Sequence, residues 1–307
     1  MLHVLAVLAA AVLFGTTGTS QALGPDGTTP LAVGVARMVV GGSALALIAF
    51  LLAARHARTS TAPRPKLTAT PLLLMAATGV ALAVYQPLFF LGTERNGVAV
   101  STVIALGSAP VLAGLLEWAL TRRLPSPIWM SATALATVGV VLLGVGGGAE
   151  SGGADPIGVL GAIGAGASFA VIANAQRRLL DSGWDAFTVV GAMGLGSALV
   201  SALALPFVDL AWVLEPSGLV MTLWLGLATI AVAYTMFTWG LQGLTAATAA
   251  TLTLGEPLTA AILGLAVLGE QLSILAIVGL VVLAAGLATL AWGSRRTRDP
   301  RPFAVEG

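Results

Sequence analysis

The chain has 307 residues, of which 57% are hydrophobic and 9% charged, with a mean hydropathy of +0.98; a soluble domain is about 25% charged. A net charge of +1, with no basic stripe carrying interleaved aromatics, excludes nucleic acid as a partner. The chain contains no cysteine, which removes disulfides, thiolate metal sites and cysteine nucleophiles.

Ten apolar spans are predicted in chain order, at 2–21, 31–54, 71–92, 97–120, 128–145, 156–176, 186–207, 217–239, 244–268 and 273–293. Runs of this length must be helices in lipid, where nothing else satisfies the backbone. The fold class is therefore an all-α polytopic membrane protein. Span one lacks the basic flank of a signal peptide and is expected to be retained. Pro30, Pro71 and Pro156 stand at span starts, where a missing N–H costs nothing. The connections 55–70 and 146–155 and the tail from 294 read as loose. Gly158, Ala162 and Gly166, four apart on span six, allow a close helix approach.

Twelve of the fourteen Lys/Arg residues fall in alternate connections or the tail, after spans two, four, six and ten. The opposite connections carry Asp26, Glu94, Glu150, Asp155, Asp209, Glu215 and Glu270. The positive-inside bias then puts both termini in the cytoplasm. A shift of 147 positions lays Ser101 on Thr248, Pro110 on Pro257 and Gly139 on Gly286, and Arg122-Arg123 on Gly269-Glu270. Five spans per copy make the second insert upside down, so each connection changes sides and its charge changes with it. The expected architecture is two inverted five-helix repeats, 1–148 and 155–293, followed by a basic cytoplasmic tail, 294–307. Inverted repeats of this kind place substrate near the midplane, between the halves.

Candidate cavity residues follow in the same order. Thr16, Thr17 and Gln21 lie on span one beside Phe14-Gly15. Arg37 lies about 9 Å into span two at 1.5 Å per residue. It would either snorkel to the interface or meet an acid or an anionic substrate group. Tyr85 and Gln86 precede Pro87 in span three. Ser101 and Ser108 share a face of span four ahead of the central Pro110, and Glu117 near its end is expected to reach the interface. Ser168 and Asn174 lie on span six and Tyr234 late in span eight. The sharpest feature is Glu256-Pro257 at the centre of span nine, on a polar stripe with Thr245, Thr248 and Thr259. A charge there costs about 2.5–3.5 kcal/mol on insertion scales. It reads either as a cavity carboxylate or as a polar group bonding a neighbouring helix at a kink. Trp118, Trp129, Trp184, Trp212, Trp224 and Trp292 read as interfacial belt residues. No metal cluster, nucleophile–base set or phosphate-cradling loop is present, so neither a cofactor nor enzyme chemistry is expected.

The stretch from Tyr234 to Leu272, with its aromatic helix, Gln242-Gly243 turn, Glu256-Pro257 and Gly269-Glu270, resembles the closing motif of the EamA branch of the drug/metabolite transporter superfamily. Phe14-Gly15 stands where such proteins often have Trp-Gly, and Arg37 where span two commonly carries Arg. The resemblance implies ten helices in two inverted repeats around a central cavity, with export of small metabolites by alternating access. It is similar to bacterial amino-acid exporters, including an aromatic amino-acid group, in the inner membrane. Few fixed charges among hydroxyl and amide groups suit a neutral or zwitterionic solute better than a sugar nucleotide. A broad exporter of cationic drugs, pairing the cation with Glu256, is the alternative; a membrane-embedded enzyme or structural protein is the reading from a different class. The expected partners are a small-molecule substrate and the lipid bilayer, with the chain acting as monomer or homodimer.

Overall fold

In the computed structural model, residues 1–59, 65–146 and 155–293 are described, and all regular structure among them is helical. Ten helices are long and apolar enough to cross a membrane: α1 Leu2–Ala22, α2 Pro30–His56, α3 Ala69–Val98, α4 Val100–Thr121, α5 Pro127–Gly146, α6 Pro156–Asp181, α7 Ala186–Phe207, α8 Pro216–Gly243, α9 Ala246–Val267 and α10 Ile274–Gly293. The predicted tail and most of the Gly-rich connection lie outside the described residues.

Local chemistry sets the helix starts. Asp155 accepts from the Ile157 N–H at 2.8 Å, Asp185 from Thr188 N–H at 3.0 Å and Thr245 from Thr248 N–H at 3.1 Å, each capping the helix that follows. Pro30, Pro127, Pro156 and Pro216 stand at first helical positions. Between α3 and α4 the connection shrinks to a joint at Gly97, whose φ of 76° only glycine adopts without strain.

Helices in lipid gain little from burial of apolar area against each other, so contact depends on small residues and close packing. The pairs are arranged symmetrically about the middle of the chain. α5 packs on α10 and α2 on α7, while α6 lies against α3 and α4 as α1 lies against α8 and α9. Glycines make these approaches possible: a Cβ on Gly166 would lie 2.7 Å from the Ala105 carbonyl oxygen, and one on Gly286 2.7 Å from the Ala136 nitrogen. The stripe expected on α6 is thus its contact with α3 and α4. The apolar core runs along α1 and α8 through Val7, Phe14, Phe237 and Leu241.

Two helices depart from regular geometry at mid-length. α9 is α-helical over Ala246–Leu252, breaks at Thr253 and Leu254, and resumes over Gly255–Val267. Pro257 therefore stands in the first turn of the second segment, where it needs no donor. The Thr253 carbonyl accepts the Glu256 N–H at 2.9 Å. In α8, residues Trp224–Val232 wind as a π-helix, a form found mostly as short bulges at functional sites.

Of the tryptophans expected in an interfacial belt, Trp118, Trp224 and Trp292 are exposed. Trp212 instead is buried against Ala32, Ala36 and Leu225, and Trp129 turns inward to donate its Nε1–H to Thr251 Oγ1 at 3.0 Å.

Candidate functional site

The breaks and prolines converge on one cavity at mid-membrane. It is a small pocket lined by Tyr85 of α3, Ala105, Leu106 and Ala109 of α4, Phe169 of α6, and Thr253, Leu254 and Glu256 of α9. Pro110 follows the lining residue Ala109 and, lacking an N–H, leaves the Leu106 carbonyl without its helical donor. The α9 break exposes Thr253 and Leu254 to the same space. Five of the eight lining residues are apolar, and the carboxylate of Glu256 accepts no hydrogen bond and joins no ion pair among the described residues.

Gly15 explains how α1 comes so close. A Cβ there would sit 2.5 Å from Thr259 Cβ and 2.7 Å from the Glu256 carbonyl oxygen. Phe14 beside it packs on Tyr234 with ring centroids 5.0 Å apart. Tyr85 stacks on Phe89 at 6.2 Å.

Arg37 is inside the bundle, 8% exposed. Its Nη2 donates to Thr229 Oγ1 at 3.3 Å, within the π-helical stretch of α8, while its Nε is buried without a partner. The Thr229 hydroxyl donates in turn to the Leu225 carbonyl at 2.5 Å.

Of the residues singled out from sequence, the structure therefore brings together Tyr85 and Glu256 on the cavity wall and Pro110 and Pro257 beside it, with Tyr234 packed on Phe14 next to the Gly15 contact; Arg37 is buried against Thr229 of α8. Others lie elsewhere. Ser101 is one residue from the start of α4, buried, with its hydroxyl unpartnered near Gly92. Ser108 bonds the Ala105 carbonyl at 3.2 Å and packs on Gly166. Ser168 bonds back to Gly164, and Thr248 lies in the first turn of α9. Gln86 is buried with its stem against Gly34 and is not among the lining residues. Thr17 is half-buried on α1; Thr16 beside it accepts from Trp224 Nε1 at 2.9 Å. Asn174 donates to the Ala113 carbonyl at 3.1 Å, tying α6 to α4. The apolar wall and Thr229 were not anticipated: alanines and leucines of a cavity read like those facing lipid, and a π-helix has no sequence pattern here beyond an apolar run.

A second polar cluster closes the end of the bundle that carries the basic connections. Arg177 pairs with Asp181 at 2.7 Å and donates to the carbonyls of Leu241 and Leu244 at 2.5 and 2.9 Å. Glu117 does not reach the interface: it accepts the Ala247 N–H at 2.7 Å and so caps α9 from α4. At the opposite end Arg95 pairs with Asp155 at 2.8 Å, and Asn96 bonds the Asp155 backbone.

Two stretches, residues 1–145 and 156–292, each match the EamA-like transporter family. The chain belongs to this family. It is 39% identical over 299 residues to the "Uncharacterized transporter YwfM" of Bacillus subtilis (strain 168), covering 97% of this chain and 96% of that protein. A solved structure described as "Crystal structure of protein" superposes with a TM-score of 0.77 over 97% of this chain and 99% of that one, at 20% identity; the likeness is one of fold. As a family member the chain is a multi-pass membrane transporter of the drug/metabolite superfamily.

Proposed function

We propose that this EamA-family protein exports small metabolites, amino acids foremost, across the bacterial plasma (inner) membrane by alternating access. The observation that carries this reading is the mid-membrane cavity: a mostly apolar wall holding one carboxylate, one phenol and one threonine hydroxyl, in a bundle that also buries the Arg37 guanidinium. Such a lining is poor in the cationic donors that a multiply charged phosphate needs, and it accommodates an apolar side chain beside a small polar head. The units that move are the repeats 1–148 and 155–293, with the tail 294–307 and the N-terminus in the cytoplasm, in keeping with the sidedness of the basic residues. The Arg37 charge buried in the bundle argues against organic cations, which it would repel.

The test is flux in proteoliposomes loaded with a panel of radiolabelled amino acids, with cationic dyes and purines as competitors. Efflux of at least one amino acid, competed by others of its class, supports the reading. Absence of amino-acid flux, or block by cationic dyes alone, rejects it.

A further inference from the structure

The connection between α7 and α8 is apolar on two sides at once. It carries two short 3-10 turns, Leu205–Phe207 and Ala211–Leu214. On the inner side Trp212 packs in one cluster with Ala32, Ala36, Met221 and Leu225 of α2 and α8. The indole Nε1–H donates to the Asp209 carbonyl at 3.1 Å, and the Asp209 carboxylate accepts the Ala211 N–H at 2.9 Å. Gly218 of α8 gives the turn its room, since a Cβ there would run into the Trp212 carbonyl. On the outer side Leu203 is 75% exposed, Phe207 83% and Leu214 89%, and water is the wrong solvent for all three. Two observations say what covers them. Leu195, Leu199 and Leu203 are exposed at intervals of four, on one face of α7, and Phe207 continues the series. The patch is thus continuous with the surface by which a membrane span meets lipid. The α-helical part of α7, Ala186–Ala202, has 17 residues, about 25 Å at 1.5 Å per residue, while the hydrocarbon core is about 30 Å thick. The helix ends before the membrane does, and the turns after it complete the crossing.

We propose that residues 203–214 form a lipid-seated wedge: Leu203, Phe207 and Leu214 enter the acyl boundary of the leaflet at the acidic end, and Trp212 keys the wedge to α2 and α8. The occupant of the outer surface is phospholipid. Asp209 and Glu215, exposed on the same connection, stay at head-group level, as the polar side of an interfacial segment does. The interfacial position expected of Trp212 is taken by Phe207 and Leu214, while the indole holds the segment to the protein.

The chain has no cysteine, so a nitroxide on Phe207→Cys or Leu214→Cys reports its surroundings directly in full-length protein held in phosphatidylcholine nanodiscs. Collision with oxygen, which concentrates among acyl chains, is compared with collision with a water-soluble nickel chelate. Leu199→Cys on the exposed face of α7 gives the lipid reference, and Asp26→Cys the aqueous one. The oxygen-to-nickel ratio at both 207 and 214 should fall nearer the Leu199 value than the Asp26 value. A ratio nearer the Asp26 value at either position overturns the wedge and makes the connection an aqueous loop. Shielding from both reagents also overturns it, in favour of a protein partner such as a second copy of the chain. Trp212→Ala should speed the motion of the label at 207 at least twofold, with Trp212→Leu, which keeps the apolar character, as the variant if Trp212→Ala does not fold. Unchanged motion in the folded variant overturns the keying by Trp212.

Discussion

At the scale of single residues, Gly15 and Thr251 are the positions where the packing leaves no latitude. A methyl group on Gly15 would overlap the Glu256 carbonyl and Thr259, so Gly15→Ala must push α1 away from α9 or shift the turn that carries Glu256. Overpacking of this kind costs about 1–3 kcal/mol, and a lower melting temperature with reduced flux is expected. Gly18, one turn along the same helix, has nothing within 4 Å of its added Cβ. Gly18→Ala is therefore expected to leave flux unchanged and to raise stability slightly, by up to about 1 kcal/mol, through helix propensity. Equal effects of the two substitutions would contradict the close approach at Gly15. Thr251 is saturated: its hydroxyl donates to the Ala247 carbonyl and accepts from Trp129 Nε1 and from Thr133 Oγ1, at 2.8–3.0 Å. Thr251→Val keeps the volume and strands two buried donors, a loss of about 1–3 kcal/mol. Thr289, whose exposed hydroxyl bonds only its own helix, supplies the neutral comparison in the same melting assay.

At the scale of elements, the break in α9 has a function separable from stability. Pro257 occupies a first-turn position, so Pro257→Ala forfeits no hydrogen bond and restores a donor that can reach the Thr253 carbonyl and continue the helix. The expected outcome is a melting temperature within a few degrees of wild type with flux reduced severalfold; a fully active variant would mean the break is maintained by other contacts and Pro257 is dispensable. The ten helices were legible from sequence because lipid allows no other backbone and because prolines and capping residues mark their starts. Glu256 was legible for the same reason, since a carboxylate in an apolar run stands out. The remainder of the site was not. Ala105, Leu106, Ala109 and Leu254 differ from lipid-facing residues only in direction, which composition does not encode. Ser101 and Thr248 shared faces with the right residues at the wrong depths, near opposite ends of the bundle rather than at its middle. Arg177 and Glu117 looked like topology markers because a charge near a helix end satisfies the positive-inside pattern whether or not it is also bonded inside.

At the scale of the whole molecule, the polar ties at the two ends of the bundle are unequal. The tie between Arg95 and Asp155 is open to solvent, its side chains 44% and 35% exposed, and such pairs add little and are screened by salt. The Arg95 hydrogen bond, with help from the Ile157 N–H, holds the Asp155 carboxyl below the usual carboxylate range. A carboxyl lowered in the folded state contributes stability above its unfolded value and loses it as the pH falls through the lowered one. The melting temperatures of wild type and Asp155→Asn, which retains the cap, should therefore differ at pH 7 and converge on acidification; divergence at acid pH would refute the pairing. The basic end is closed more firmly, by a pair only 14% and 8% exposed whose arginine also serves two carbonyls, and by Glu117 reaching across to α9. Breaking a buried pair by removing one partner costs about 3–5 kcal/mol. The central cavity should then open more readily toward the acidic end. Because the chain has no cysteine of its own, Ala109→Cys places a single thiol on the cavity wall. In sealed vesicles whose orientation is fixed by labelling Asp26→Cys and Leu124→Cys on opposite faces, an impermeant maleimide should react with it faster from the acidic side. Adding Arg177→Gln should narrow or reverse that ratio by loosening the basic end; an unchanged ratio would mean the Arg177 cluster holds the helices together without governing access to the cavity.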